Sequence, residues 1–346
     1  VILKQIPPSR IHKPVTNSQS VTMFLALYVF CCLAGCEKNE LALIQSEQYC
    51  WHEKVGWKAS DYFEDPQVIA LCEAIEENDI AEIDRLIEAG ADVNAKGKGN
   101  MTPLLWAFPD NQIKRFKHLI KRGANPNVIF ESDFGVPSGF HAGDSVTHMS
   151  ARTQFPGYLE AVMESGGDPN LIDQRRNRTL LHAVITAGVP DVKQRVQILI
   201  DNGADLNALD SSGHPPVRMA VMWFRQFDVA LKLLKAGATP SIYRPRSNSK
   251  LVHAVESAGQ EVETMSDSQR KSFIALEAWL REAGEDLKAA RMDNARWSEW
   301  IRTLAPSEYR KRIDREVAER MAREKAAVKS EEPVGSTPEA DAAEQE

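Results

Sequence analysis

The side chains of this chain best suited to chemistry are five cysteines and eight histidines. Cys36 ends the run Leu33-Ala34-Gly35-Cys36, and Cys31 and Cys32 lie in the apolar stretch from Val21 to Leu33. Lys4, Arg10 and Lys13 are the only ionised side chains before Cys36. A basic start and an apolar core too short to span a bilayer comfortably are the layout of an export signal, expected over residues 1–35. Cleavage there removes Cys31 and Cys32. Cys50 and Cys72 are then an even pair in an oxidising compartment, either joined as a disulfide or kept as two separate buried thiols. His148, His182 and His253 share one position of a recurring phrase described below, which explains them by architecture before metal binding or catalysis. The chain holds no Gly-x-Ser-x-Gly elbow, no His-Glu-x-x-His and no phosphate-cradling glycine loop. The expectation is a protein that is not an enzyme and takes neither metal nor cofactor.

The elements that position these residues repeat. Gly90-Ala91-Asp92-Val93-Asn94 returns as Gly123-Ala124-Asn125-Pro126-Asn127, Gly166-Gly167-Asp168-Pro169-Asn170 and Gly203-Ala204-Asp205-Leu206-Asn207, with a worn copy at Gly237-Ala238-Thr239-Pro240. The steps between the glycines are 33, 43, 37 and 34 residues. Before each glycine runs a helical apolar pattern, such as Ile83, Leu86 and Ile87, or Val196, Leu199 and Ile200. Glycine past a helix end takes the left-handed backbone at least cost, and the Asp and Asn side chains after it stabilise tight turns. A second phrase opens each unit: Thr102-Pro103-Leu104-Leu105-Trp106-Ala107 and Thr179-Leu180-Leu181-His182-Ala183-Val184, with weaker copies at Ser145, Pro215 and Lys250. Its hydroxyl can cap a helix and its proline suits the first helical turn.

The two phrases and their period resemble the ankyrin repeat family over residues 69–286. The resemblance implies an all-α solenoid of about six helix-turn-helix units with short β-hairpin fingers, at 69–101, 102–144, 145–178, 179–214, 215–249 and 250–286. It also implies that the three histidines bond to backbone and to the nearby hydroxyl, and that Trp106 is core. The first unit lacks the Thr-Pro opening and has Cys72 at the histidine position. A Cys50–Cys72 disulfide would staple the preceding segment to that unit. The sixth has a polar insertion in its first helix from Gly259 to Lys271. Terminal units of a stack are expected to be atypical, because one face of each lacks a neighbour.

The flanks read as helical caps. Residues 36–68 carry Tyr49, Trp51, Trp57, Tyr62 and Phe63, too aromatic for a tether, and are expected to fold on the first unit. Trp297, Trp300, Ile301 and Leu304 predict a cap at the other end, within a segment 287–329 that continues as a charged helix, before a disordered acidic tail at 330–346. The 43-residue step places about ten extra residues between Val128 and Asp144, a long finger bearing Phe130, Phe134 and Phe140. In an ankyrin stack partners meet the fingers and inner helices. The resemblance thus marks Lys98, Asn100, Phe130, Glu131, Asp133, Phe134, Asp173, Arg175, Arg176, Asp210, His214, Tyr243 and Arg244 as partner-binding, with the long finger weighted most. The alternative is that its phenylalanines fold back onto the stack.

Leu33-Ala34-Gly35-Cys36 resembles a bacterial lipoprotein signal, which implies cleavage before Cys36, acylation at Cys36, and a periplasmic body. Glu37 rather than Asp after the cysteine favours the inner leaflet of the outer membrane. The net charge of −7, more negative once the signal leaves, argues against nucleic acid and leaves the lipid anchor as the only membrane contact. The whole architecture is similar to the immunity lipoproteins that accompany type VI secreted phospholipase effectors. That resemblance implies a free monomer that binds such an effector and covers its active site. The competing expectation is an envelope scaffold that binds a partner without inhibiting it.

Overall fold

The computed structural model describes residue 52, residues 56–134 and residues 140–331, with side chains to 327. The signal segment, Cys36, Tyr49, Cys50, Trp51 and the tail beyond Glu331 therefore lie outside the described residues. Among those described, fifteen α-helices run in pairs: α1 Ala59–Tyr62, α2 Pro66–Glu76, α3 Ile80–Glu88, α4 Pro103–Trp106, α5 Ile113–Lys121, α6 Val146–Arg152, α7 Tyr158–Glu164, α8 Leu180–Thr186, α9 Val192–Asp201, α10 Pro216–Phe224, α11 Phe227–Lys235, α12 Leu251–Gly259, α13 Asp267–Glu282, α14 Leu287–Thr303 and α15 Pro306–Glu331. From α2 to α13 each pair is one unit, six in all. First helices pack on first helices (α6 on α8, α8 on α10, α10 on α12, α12 on α14) and second on second (α5 on α7, α7 on α9, α9 on α11, α11 on α13). The core is the seam between the two rows, filled by Leu71, Leu104, Phe116, Leu119, Leu181, Val196, Val217, Leu233 and their neighbours.

Each recurring turn folds as its residues dictate. Gly203 has φ +79 and follows a helix whose end closes as a Schellman motif, with Ala204 N on Leu199 O at 2.9 Å and Gly203 N on Ile200 O at 3.0 Å. Asp205 Oδ1 then accepts Asn207 N at 2.8 Å. The asparagine ending the turn reaches the next unit: Asn94 Nδ2 donates to Gly123 O at 2.9 Å and its Oδ1 accepts Asn125 N at 2.7 Å. Asn127 makes the same two bonds to Gly166 and Asp168, at 3.0 Å each, and Asn170 to Gly203 and Asp205, at 3.1 and 2.7 Å. A last half-rung joins Thr239 N to Asn207 Oδ1 at 2.8 Å. The expected β-hairpin fingers are turns instead. Among the described residues the only β-bridge is an isolated antiparallel one, Asp173 with Arg178. Asp and Asn side chains occupy the turn amides that a strand ladder would otherwise need.

The first helix of the first unit, α2, starts at Pro66. Asp65 and Pro66 stand where Thr102 and Pro103 do in the second, and Asp65 accepts Gln67 N at 2.8 Å to cap α2. Cys72 is a free, fully buried thiol whose pKa burial pushes well above its ordinary value. Cys50, the other half of the expected disulfide, lies outside the described residues. In the sixth unit the insertion falls between the helices, as a 3-10 turn at Val262–Thr264.

The long finger departs most from expectation. Phe130 and Phe134 are 1% and 4% exposed. Phe134 stacks edge-on to Tyr62 and to Trp57, and Phe140 lies 5.7 Å from Trp57. Trp57 and Tyr62 also meet Trp106, whose indole is stacked on His52 and donates to Glu76 Oε1 at 3.0 Å. The finger phenylalanines thus clasp the lead segment against the first two units and are core, not recognition. Phe130→Ala with Phe134→Ala is expected to destabilise the chain by about 3 kcal/mol or more, read as a fall in the thermal midpoint. Cys72 is expected to resist alkylation in the native chain and to react on unfolding without reductant, mapped by peptide mass spectrometry. A site that opened only after reduction would assign Cys72 to the disulfide.

Candidate protein-binding face

The histidines at the helix starts do structural work. His182 Nδ1 lies 3.0 Å from Thr179 Oγ1 and accepts Thr179 N at 3.2 Å, while Nε2 meets His214 O at 3.0 Å. His148 pairs with Ser145 Oγ at 3.0 Å, and His253 accepts Lys250 N at 3.2 Å while stacking on Trp297. Burial lowers the pKa of all three, and of His52 and His214. The rings of His148, His182 and His253 are hydrogen-bonding parts of the joints between helices.

The residues marked as partner-binding divide into two groups. Lys98, Glu131, Asp133, Arg175, Arg176 and Arg244 are exposed, and Asn100 and Tyr243 are half-buried. Asp173, Asp210 and His214 join Phe130 and Phe134 among the buried. Asp173 Oδ1 accepts Arg175 N and Arg176 N at 2.8 and 3.2 Å, and Asp210 Oδ1 accepts Ser212 N and His214 N at 2.9 Å each. These carboxylates build the turns. Tyr243 is engaged as well, since the Arg320 guanidinium of α15 stacks over its ring at 3.9 Å.

Three consecutive exposed apolar side chains lie on the first row, at the end of α10. Met222, Trp223 and Phe224 are 45%, 48% and 42% exposed, in sequence after the fully packed Met219, Ala220 and Val221. Arg178 stacks over the Trp223 ring at 5.1 Å. Arg225 ends the helix with φ +50, a left-handed conformation uncommon outside glycine, and Gln226 N closes on Ala220 O at 2.8 Å. The Arg225 guanidinium is tied to Glu261 and to Thr264 Oγ1 of the next unit. The apolar triplet is thereby held in one place. Sequence inspection had passed over it, because a Met-Trp-Phe run inside an apolar helix reads as core; the signal was the arginine that follows, where the helix turns left-handed.

Two arginines missed by the sequence reading hold that row. Arg115 is fully buried on α5 and donates to Ala107 O at 3.0 Å, to Ile75 O and to Asp110. Arg195 on α9 does the same to Ser150 O and Ala151 O at 3.1 and 3.2 Å, with Asp191 as counter-ion at 2.8 Å. Each places a cation on the orphan carbonyls at a helix C-terminus.

Residues 148–243, units three to five, match the family described as ankyrin repeats, three copies. Those three units are similar to ankyrin repeats, and the helix pairs on either side of them repeat the same two-row architecture. Over 90 residues the chain is 37% identical to protein lin-12 of Caenorhabditis elegans, covering 25% of this chain and 6% of that protein. Over 176 residues it is 30% identical to the mitochondrial disaggregase of Bos taurus, covering 49% of this chain and 23% of that protein. The chain thus spans less than a quarter of the length of either relative. Among solved structures, the ankyrin repeat domain of Bcl-3 is similar with a TM-score of 0.48 at 21% identity, covering 63% of this chain and 86% of that one. Ankyrin repeats are a scaffold for protein–protein interaction, and the exposed triplet is a contiguous apolar patch on this stack.

The histidine shifts set a pH dependence. Folded imidazoles are held below the ordinary 6.5, so below that pH the unfolded chain binds protons that the folded chain refuses. Stability is expected to be level above about pH 7 and to fall as the pH drops through 6.5 toward the folded values. Thermal melts across that range check it, with His182→Gln expected to flatten the slope.

Proposed function

We propose that this chain is a lipid-anchored, non-catalytic immunity protein that binds a secreted phospholipase effector in the periplasm and covers its active-site mouth. The observation that carries the binding part is the open first-row face, with Met222, Trp223 and Phe224 fixed by the Arg225 latch. A face ordered before binding loses little entropy when a partner docks, which suits a tight inhibitor. The address rests on Leu33-Ala34-Gly35-Cys36, with Cys36 acylated and the absence of Asp after it favouring the outer membrane. No helix among the described residues is long and apolar enough to cross a membrane, and acyl chains on Cys36 supply the anchor in this reading. The partner identity rests on the architecture shared with immunity lipoproteins: export signal, aromatic lead segment, divergent repeats and charged tail.

Cys36→Ser is expected to release the protein from membranes and to abolish labelling by a palmitate analogue. Periplasmic pull-down with the wild-type chain is expected to capture a lipase whose activity falls on adding the pure protein. A captured protein with no lipase activity to suppress would favour the envelope scaffold. Retention of label and membrane association in the Cys36→Ser chain would remove the lipoprotein reading.

A further inference from the structure

Beside the exposed triplet, units four and five gather arginines around two turn carboxylates, Asp210 and Asp173. Arg178 stacks on Trp223, and its Nε lies 3.8 Å from Asp210 Oδ2. Arg218 on α10 is buried to 7% exposure and donates to Lys250 O at 2.7 Å and Ser249 Oγ at 2.9 Å, with no carboxylate. Arg244 is exposed and forms no ion pair among the described residues. The three arginines converge on His214, whose pKa is lowered by burial and, against Asp210, by Arg218, Arg244 and Arg178; Pro245, next to Arg244, lies against Gly213, next to His214. Burial and then Arg244 bring Arg218 down to about 10. Asp210 is the carboxylate among them, and its Oδ1 is already taken by Ser212 N and His214 N. The other nearby carboxylate, Asp173, is taken by Arg175 N and Arg176 N. Both ring nitrogens of His214, and the Nε atoms of Arg178 and Arg218, are buried without a hydrogen-bond partner.

Buried N–H donors without an acceptor, and a buried cation without a carboxylate such as Arg218, are costly, and an incoming anion would relieve both. They occur in a chain whose net charge is −7, so the cluster is a local reversal of the molecule's field. Guanidinium groups grip carboxylates through paired N–H donors, and arginine beside tryptophan is the composition of residues that dominate binding energy. We infer that Arg178, Arg244 and the Met222–Phe224 triplet form a docking site for an acidic segment of a protein partner, in which an Asp or Glu side chain adjoins an aromatic or aliphatic residue. The carboxylate meets Arg178 and Arg244, and its apolar neighbour covers Trp223 and Met222. An anionic membrane is the poorer fit, because the surrounding acidic body repels a charged plane while a single strand reaches the cluster alone.

This inference rests on the protein-binding reading, and its test separates the two. The probe is a short fluorescein-labelled peptide alternating Glu with Phe and Leu, titrated with the full chain by anisotropy. It is expected to bind, to weaken about tenfold or more when Gln replaces Glu, and to weaken similarly for Arg244→Gln with Trp223→Ala. Both residues are exposed, so that variant is expected to keep its thermal midpoint; if it melts lower, Arg244→Gln alone serves. Absence of binding, equal affinity for the Gln peptide, or unchanged affinity in the variants overturns the site. Competition by phosphatidylglycerol vesicles assigns it to lipid, and a tenfold gain on deleting residues 332–346 assigns it to the chain's own acidic tail; either result overturns the proposal. Periplasmic pull-down with the double variant completes the separation. Capture of the same prey leaves the protein-binding reading standing without this site, and loss of the prey supports the site.

Discussion

The asparagine that ends each turn is the joint on which the stack depends. Its carboxamide is used at both ends, the Oδ1 by one backbone amide of the next turn and the Nδ2 by that turn's glycine carbonyl. A side chain that satisfies two groups in a neighbouring unit fixes the step between units. Replacing it would leave a donor and an acceptor to be met by water at the joint. The rungs run from Asn94 through Asn127 and Asn170 and thin to a half-rung at Asn207. Ser241 stands where the next asparagine would be. From there on other forces carry the stack, chiefly the packing of α11 on α13 and the Arg225 latch to Glu261.

What the sequence made legible follows the range of each interaction. The glycine turns and capped helices were readable because their determinants lie within five residues, a left-handed φ at Gly203 or a hydroxyl three residues before His182. The phenylalanines of the long finger were not. Phe134 is buried by Trp57 and Tyr62, more than seventy residues earlier, and no local pattern encodes that meeting. Arg115 and Arg195 failed for another reason. A charged residue on an amphipathic helix reads as solvent-facing, and only the position of another unit's helix end reveals that its guanidinium is a cap. The candidate site was legible in part: Arg244 was singled out, whereas Trp223 was hidden inside an apolar run.

The two ends of the stack are closed by different chemistry. At the front, His52, Trp57, Tyr62, Phe134 and Phe140 form an aromatic seal around Trp106. At the back, α14 and α15 close the sixth unit through arginines on aromatic rings. Arg296 and Arg312 lie over Trp300, Arg320 lies over Tyr243, and Trp297 stacks on His253 while donating to Glu316. The long charged helix α15 buries Ile313 and little else that is apolar, so its hold is cation–π and hydrogen-bonded rather than an apolar seam.

These closures decide where a partner can act. The finger of the second unit is spent on the front seal, and the turn of the fifth contributes Tyr243 to the back. Units four and five keep a face that neither cap takes, where α10 carries its apolar residues to the surface and stops at a left-handed arginine. A helix that buried Met222, Trp223 and Phe224 would have let the chain close with less apolar surface exposed. Instead the triplet stands beside Arg178, with buried guanidinium donors unmet behind it. Exposed apolar area and unpaired positive charge each cost the isolated protein stability, and they cost it at the same place. A single ligand feature that relieves both, a carboxylate next to an apolar side chain, accounts for their coincidence on one helix end.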